Sequence, residues 1–264
     1  VDQLQMTSSD SVKRVVILSQ VVRFPNGMGG ASRIANYATG RIRLGVPLTV
    51  VCLKPYESPA GPMLNPHATG VYRGAEYIYP CGTTIIGCNR WQRLAQNLRS
   101  LVATVRYLKT ISKAGSLSGI LYYGIGYSIF YTTYGWLLSK WLNIPFVGET
   151  TEEPYVYVTR SPLYTLEKYV FWNVIVKRLD GIIVISQYLN RKFRRYARPD
   201  AQIDTIPTMV DVAAFPLPTD DSRQTVVYCG NLDQTGEVEQ LLEAWSQIAP
   251  RFPNHILQIV GDGA

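Results

Sequence analysis

Strand-like apolar runs alternate with helix-like segments along most of this chain, and that alternation limits the possible folds more than any other feature. "RVVILSQ", "VPLTVVCL", "GILYYG", "IPFVGE" and "DGIIVIS" are apolar at successive positions. A strand with one wet face would alternate apolar and polar residues, so these runs are covered on both faces. Between them lie "SRIANYATGRIRLG", "RWQRLAQNLRSLVATVRYLKTI", "YGWLLSKWLN", "PLYTLEKYVFWNVIVKRL" and "QYLNRKFRRYA". Ile34, Tyr37, Ala38 and Ile42 recur at helical spacing in the first, and Gly45 closes it. Leu94, Leu98, Leu101, Val105 and Leu108 form the apolar stripe expected to bury the second. Pro162 falls in the first turn of the fourth, and "YRGAEYIYP" carries one further short strand. Strands joined by helices pair in parallel with helices on both faces. The expectation for residues 1–206 is one complete, doubly wound α/β domain.

Residues 207–224, "PTMVDVAAFPLPTDDSRQ", break the rhythm with three prolines and a charge cluster, and read as a linker. The alternation restarts at 225–264 with "TVVYCG", "EVEQLLEAWSQIAPRF" and "HILQIVGDG". A single βαβ unit is too small to fold well by itself. The chain therefore reads as one whole domain followed by the beginning of a second, stopping at a Gly-x-Gly turn where a helix is due.

The formal charge of +7 favours anionic partners such as phosphorylated small molecules, nucleic acid or an anionic membrane face; a merely basic surface is the simpler alternative. Four cysteines, at 52, 81, 88 and 229, include no Cys-x-x-Cys, and His67 and His255 are the only histidines, so no structural metal site is expected. Cys52 and Cys229 stand in apolar runs as small buried hydrophobes, and the cysteine usage fits a reducing, cytoplasmic compartment. The N-terminal twenty residues do not form a secretory signal. No charge occurs between positions 113 and 140, long enough to span a bilayer, but the stretch is rich in Tyr, Gly, Ser and Thr and reads instead as a strand, a glycine turn and an apolar helix.

Three groups of residues carry candidate chemistry. Gly29 and Gly30 lie between a strand and a helix start, where free backbone N–H groups can face an anion; a tight turn without a ligand is the alternative. Glu149, Glu152 and Glu153 in "GETTEEPY" follow a strand end and could contact acceptor hydroxyls, or form a solvated acidic loop. Arg191, Lys192, Arg194, Arg195 and Arg198 make one helix strongly basic, either as a solvated face or as a contact with anionic lipid. His67 reads as a surface residue.

"YCGNLDQTGEVEQLLEAWSQIAPRFPNHILQIVGDGA" resembles the opening βαβ of the donor-binding domain in family 4 glycosyltransferases, two-domain GT-B enzymes that use nucleotide sugars. "GMGGASRIANYATGRIRLGVPLTVVC" is similar to that family's Gly-Gly-Ala loop, helix and second strand; "DGIIVISQYLNRKF" and "IPTMVDVAAF" resemble its domain-closing segment and linker. The resemblance implies a GT-B fold: a complete Rossmann-like, acceptor-side domain at 1–206, a linker at 207–224, and the start of a nucleotide-sugar-binding domain at 225–264. It implies donor contacts at Gly29, Gly30, Gly230, Asn231, Gly261 and Gly263. It also implies transfer, with retention, of a sugar from a nucleotide diphosphate sugar to a carbohydrate or lipid-linked acceptor, as in polysaccharide biosynthesis. The sugar nucleotide is a substrate; no cofactor, metal or nucleic acid partner is expected. The catalytic residues are unknown from the sequence. Asn231 stands where the family often has Arg, and Gly236 where it has Lys. The family's downstream Glu-x7-Glu element has no counterpart. The expectation is a truncated, inactive chain, cytoplasmic or peripheral on the inner membrane face. Two other readings stay open: another GT-B enzyme such as a nucleotide-sugar epimerase, and a scaffold that has lost donor binding.

Overall fold

The computed structural model describes residues 13–155, 161–212, 224–230, 232 and 237–261. The chain forms two compact units, Val1–Val210 and Asp211–Ala264. Residues 207–210, expected to open the linker, belong to the first unit.

The first unit is built on an eight-stranded sheet. Its strands are β1 (Arg14–Ser19), β2 (Leu48–Cys52), β3 (Thr69–Tyr72), β4 (Ala75–Ile78), β5 (Leu117–Tyr123), β6 (Phe146–Thr150), β7 (Gly181–Val184) and β8 (Gln202–Thr205). Their order is β3-β4-β2-β1-β5-β6-β7-β8, parallel throughout except for the β3–β4 pair. The helices are α1 (Gly29–Arg43), α2 (Arg90–Lys113), α3 (Ile129–Leu142), α4 (Pro162–Val170) and α5 (Gln187–Arg194).

Successive strand residues point to opposite faces, and β1 shows the result. Val16 and Leu18 enter one core with Leu108 of α2, Leu138 of α3 and Phe193 of α5. Ile17 enters the other with Ile34, Ala35 and Ala38 of α1. Covering both faces is what the unbroken apolar runs demanded.

Three details depart from the sequence reading. The short strand expected near 72–80 is a hairpin, β3 and β4, joined by Arg73-Gly74 with both residues at positive φ, the geometry that matches strand twist in a two-residue turn. The helix expected over 162–179 stops at Val170 and continues as a wider π turn, Phe171–Ile175, that places Phe171 and Trp172 together in the core. Leu94 and Leu98, expected inside, are exposed; Leu108 of the expected stripe is buried, Leu101 and Val105 pack partly buried against the same core, and Ser100 and Thr104 are buried as well. The cause is length: 24 residues of helix extend about 36 Å, whereas the seven residues of β5 extend about 23 Å, so the first turns of α2 overhang the sheet.

The uncharged stretch resolves into β5, a loop through Gly124 and Gly126, and α3. Among the described residues, no helix is long and apolar enough to cross a membrane.

The second unit contains β9 (Gln224–Cys229), α6 (Glu237–Ile248) and β10 (His255–Val260), with β9 and β10 in parallel register. Cys52 is buried as expected, but Cys229 is exposed; among the described residues β9 has a strand neighbour on one side only.

Candidate functional site

The strand order of the first sheet reverses at β1: the chain goes outward to β2 on one side and begins again at β5 on the other. In open α/β sheets, the crevice beyond the carboxyl ends of such strands is where ligands bind. Three predicted residues, Gly29, Gly30 and Glu149, meet at this edge.

Met28 caps α1 with extended backbone, no side-chain cap and no acidic residue in the first turn. The N–H groups of Ala31 and Ser32 bond to the carbonyl of Met28. A Cβ at Gly29 would meet nothing within 4 Å, so that side of the helix start is open. A Cβ at Gly30 would stand 3.1 Å from Tyr123 Oη and 3.3 Å from Val22, so glycine lets α1 begin against the end of β5. The start of α1, which follows the carboxyl end of β1, carries no acidic residue in its first turn, and the positive end of a helix suits an anionic group.

Glu149 is the hub of this edge. It ends β6 completely buried. Its Oε1 accepts from Arg33 Nε at 2.5 Å and from Tyr37 Oη at 2.7 Å. Its main-chain carbonyl accepts from the N–H groups of Gly124 and Ile125 in the loop after β5. Burial pushes the carboxyl up, and the bonds from Arg33 and Tyr37 pull it part of the way back. Arg33 also donates to the carbonyls of Ile206 and Pro207, both at 2.8 Å, and Asn36 donates to that of Met209. The expected acceptor contact at Glu149 is therefore replaced by an interior ion pair that fixes α1, β6 and the chain leaving β8.

The other two carboxylates part company. Glu152 is exposed and accepts from Tyr127 Oη at 2.6 Å. It is the predicted acceptor residue that stands open to solvent. Glu153 is paired with Lys192 and accepts from Tyr188 Oη at 2.5 Å; Lys192, then Tyr188, holds its carboxyl below the ordinary range. The same pairing changes the reading of the basic helix α5. Lys192 is enclosed by Glu153 and the rings of Trp172 and Tyr188, and Arg198 pairs with Asp180 and Asp200. Leu189 and Phe193 face the core. Arg191, Arg194 and Arg195 remain exposed, with no described carboxylate in ion-pair range.

In the second unit, Gly230 and Gly261 meet at the carboxyl ends of β9 and β10. Gly230 donates its N–H to Val260, and a Cβ at Gly261 would lie 1.9 Å from the carbonyl oxygen of Gly230. Only glycine allows that approach. Asn231 and Gly263, like Gly236, lie outside the described residues.

Sequence reasoning missed Arg33, Tyr37 and Tyr123. Arg33 and Tyr37 are spaced i, i+4 on α1, a signal for a shared face, but an arginine within a helix reads as solvated until its partner on β6 is known. Among the described residues, no group of three His, Cys, Asp or Glu side chains could hold a metal ion.

No protein-family model matches this chain, and no curated protein matches it in sequence. Solved structures match it in fold. UGT2 of Phytolacca americana, complexed with UDP-2fluoro-glucose and pterostilbene, is similar over 97% of this chain and 72% of its own, with 10% identity and a TM-score of 0.51. A UDP-glucose: anthocyanidin 3-O-glucosyltransferase in complex with UDP is similar over 95% of this chain and 72% of its own, with 11% identity and a TM-score of 0.47. UGT89C1 of Arabidopsis thaliana, complexed with UDP-L-rhamnose, covers 96% and is covered to 70%, with 13% identity and a TM-score of 0.46. The first of these likenesses shows the fold. This is an α/β chain of the GT-B type, with a large, mostly parallel sheet in its first unit and a parallel β9–β10 pair in its second.

Proposed function

We propose that this protein belongs to the machinery of glycosyl transfer, with a nucleotide diphosphate sugar as donor and a carbohydrate or lipid-linked acceptor. The observation that supports it best is the fold likeness, over almost the whole chain, to an enzyme solved with a UDP-sugar analogue. On this reading the carboxyl edge of the first unit takes the acceptor, with Glu152 offering hydrogen bonds to sugar hydroxyls. Gly230 and Gly261 keep the strand ends of the second unit clear for the donor. Charge on the leaving diphosphate would be met by backbone N–H groups at helix starts, and the transfer would retain anomeric configuration, as the resemblance to family 4 enzymes implies.

A second reading, a scaffold without donor binding, draws on Asn231 and Gly236, which stand where that family carries cations. Thermal stabilisation by a panel of nucleoside-diphosphate sugars separates the two, since a ligand that binds only the folded state raises Tm with concentration. The transferase reading expects at least one sugar nucleotide to raise Tm, and Gly261→Val to abolish the shift. A flat response across the panel counts against donor binding by this chain.

A further inference from the structure

The outer face of α2 joins two properties that rarely coexist on a water-facing helix. Trp91, Leu94, Leu98 and Val102 are 66%, 56%, 61% and 42% exposed. At 3.6 residues per turn they fall within about 80° of arc, so they form one continuous apolar stripe. The helix carries six basic residues, Arg90, Arg93, Arg99, Arg106, Lys109 and Lys113, and no acidic one. All six are exposed, and none has a carboxylate in ion-pair range among the described residues. Next to it, α3 exposes its own stripe of Phe130, Leu137 and Trp141. The two helices are joined by Tyr134 Oη donating to the carbonyl of Leu101 and by Lys109 lying 5.8 Å from the Trp141 ring.

We propose that this face of α2 and α3 docks on an anionic lipid surface. The apolar stripe, with its tryptophans, would enter the headgroup boundary, and the flanking cations would meet lipid phosphates. Charge decides the occupant. Uncompensated cations along and beside the stripe, Arg99, Arg106, Lys109 and Lys113, would repel a second copy of this chain, and a polynucleotide would leave the leucines in water. The overhang of α2 beyond the sheet is what makes the stripe available. The sequence suggested the segment of α5 for this role, but of its five cations Lys192 and, beyond the helix, Arg198 are paired, and Leu189 and Phe193 are buried. The inference does not depend on the transferase reading.

Co-sedimentation of the whole chain with vesicles tests it. Wild type is expected to bind phosphatidylcholine vesicles containing about one-third phosphatidylglycerol, to bind pure phosphatidylcholine far more weakly, and to be released by salt. Arg99→Gln/Arg106→Gln/Lys109→Gln should lower the partition coefficient on the order of a hundredfold. Trp91→Ser/Leu94→Ser/Leu98→Ser should lower it about tenfold or more. Arg191→Gln/Arg194→Gln/Arg195→Gln should stay within about twofold of wild type. These side chains are exposed, so thermal melts should be unchanged; if the apolar variant nevertheless unfolds, the charge variant alone carries the test. The proposal is overturned if wild type ignores anionic vesicles, if the α2 variants bind like wild type, or if the α5 variant is the one that loses binding. It is also overturned if sedimentation velocity shows a lipid-independent dimer that the apolar variant dissolves.

Discussion

β1 and β9 are both six-residue strands with an apolar middle, RVVILS and QTVVYC, and each opens a βαβ in parallel register with the strand that follows its helix. Their surroundings differ. β1 lies between β2 and β5, and residues 16–19 are buried. Among the described residues β9 pairs with β10 alone, and Val226 and Val227 are 42% and 57% exposed. An apolar run therefore announces a strand, while its burial is conferred by the number of neighbours. Stabilisation follows the apolar area removed from water, so the two strands should differ in protection as well as in exposure.

Hydrogen exchange offers the sharpest way to break this comparison. Amides of β1 and β7 are expected to exchange by global opening, several orders of magnitude more slowly than those of β9 and β10. Equal protection in the two units would show that β9 is far better covered than its single neighbour suggests.

The next largest effect concerns charge inside the first unit, for which the second unit has no described equivalent. Removing one partner of a buried ion pair costs about 3–5 kcal/mol, because the other is left uncompensated. Arg33→Met should therefore destabilise the first unit by that order in urea melts. The lone Glu149 would then hold its proton in the fold, so the loss should deepen as pH rises from the ordinary carboxylate range through its raised folded value. Arg33→Met/Glu149→Leu should recover most of the stability. A double variant no better than the single would show that Arg33 acts mainly through Ile206 and Pro207.

How much of this was legible beforehand depends on the range of the interaction. The order of strands and helices could be read because both periodicities are local: apolar runs, Gly45, Pro162. The helix start at Gly29 and Gly30 and the glycine ends of β9 and β10 were legible for the same reason. What stayed hidden was set by distant partners. Glu149 looks like its neighbours Glu152 and Glu153 until Arg33, 116 residues earlier in the chain, reaches it. Lys192 looks like the other cations of α5 until Glu153, 39 residues away, pairs with it. The apolar stripe of α2 was visible, but which half of it meets the sheet depends on strand lengths elsewhere.

A matched pair of truncations sharpens the opening comparison at single-residue scale. Leu18→Ala removes a side chain from a fully buried position and should cost about 2–5 kcal/mol, depending on how far the cavity collapses. Val227→Ala acts at an exposed position and should stay within about 0.5 kcal/mol. Similar losses at both sites, measured by urea unfolding, would contradict the neighbour argument.

The smallest expected effect is acid sensitivity confined to the first unit. Glu57 is almost fully buried and takes Arg23 Nε and Nη2 at 2.8 and 2.6 Å, the N–H groups of Leu64 and Asn65, and Asn65 Nδ2 at 2.9 Å. Arg23, ahead of the Asn65 and Leu64 bonds, holds the carboxyl down to about 2. A depressed carboxylate contributes stability that is present above its unfolded value, about 4.3, and is lost as pH falls through its folded value. Arg23 is one-third exposed, so water screens the pair and the contribution should be about 1–2 kcal/mol. Urea melts at about pH 5 and about pH 2.5 should therefore differ by that amount more in wild type than in Glu57→Gln. The second unit has no ion pair among its described residues, so exchange at β9 and β10, corrected for intrinsic rates, should not change over the same interval. If β9 and β10 loosen together with the loop around Glu57, the two units share one cooperative transition, and the contrast between β1 and β9 is one of exposure without a difference in local stability.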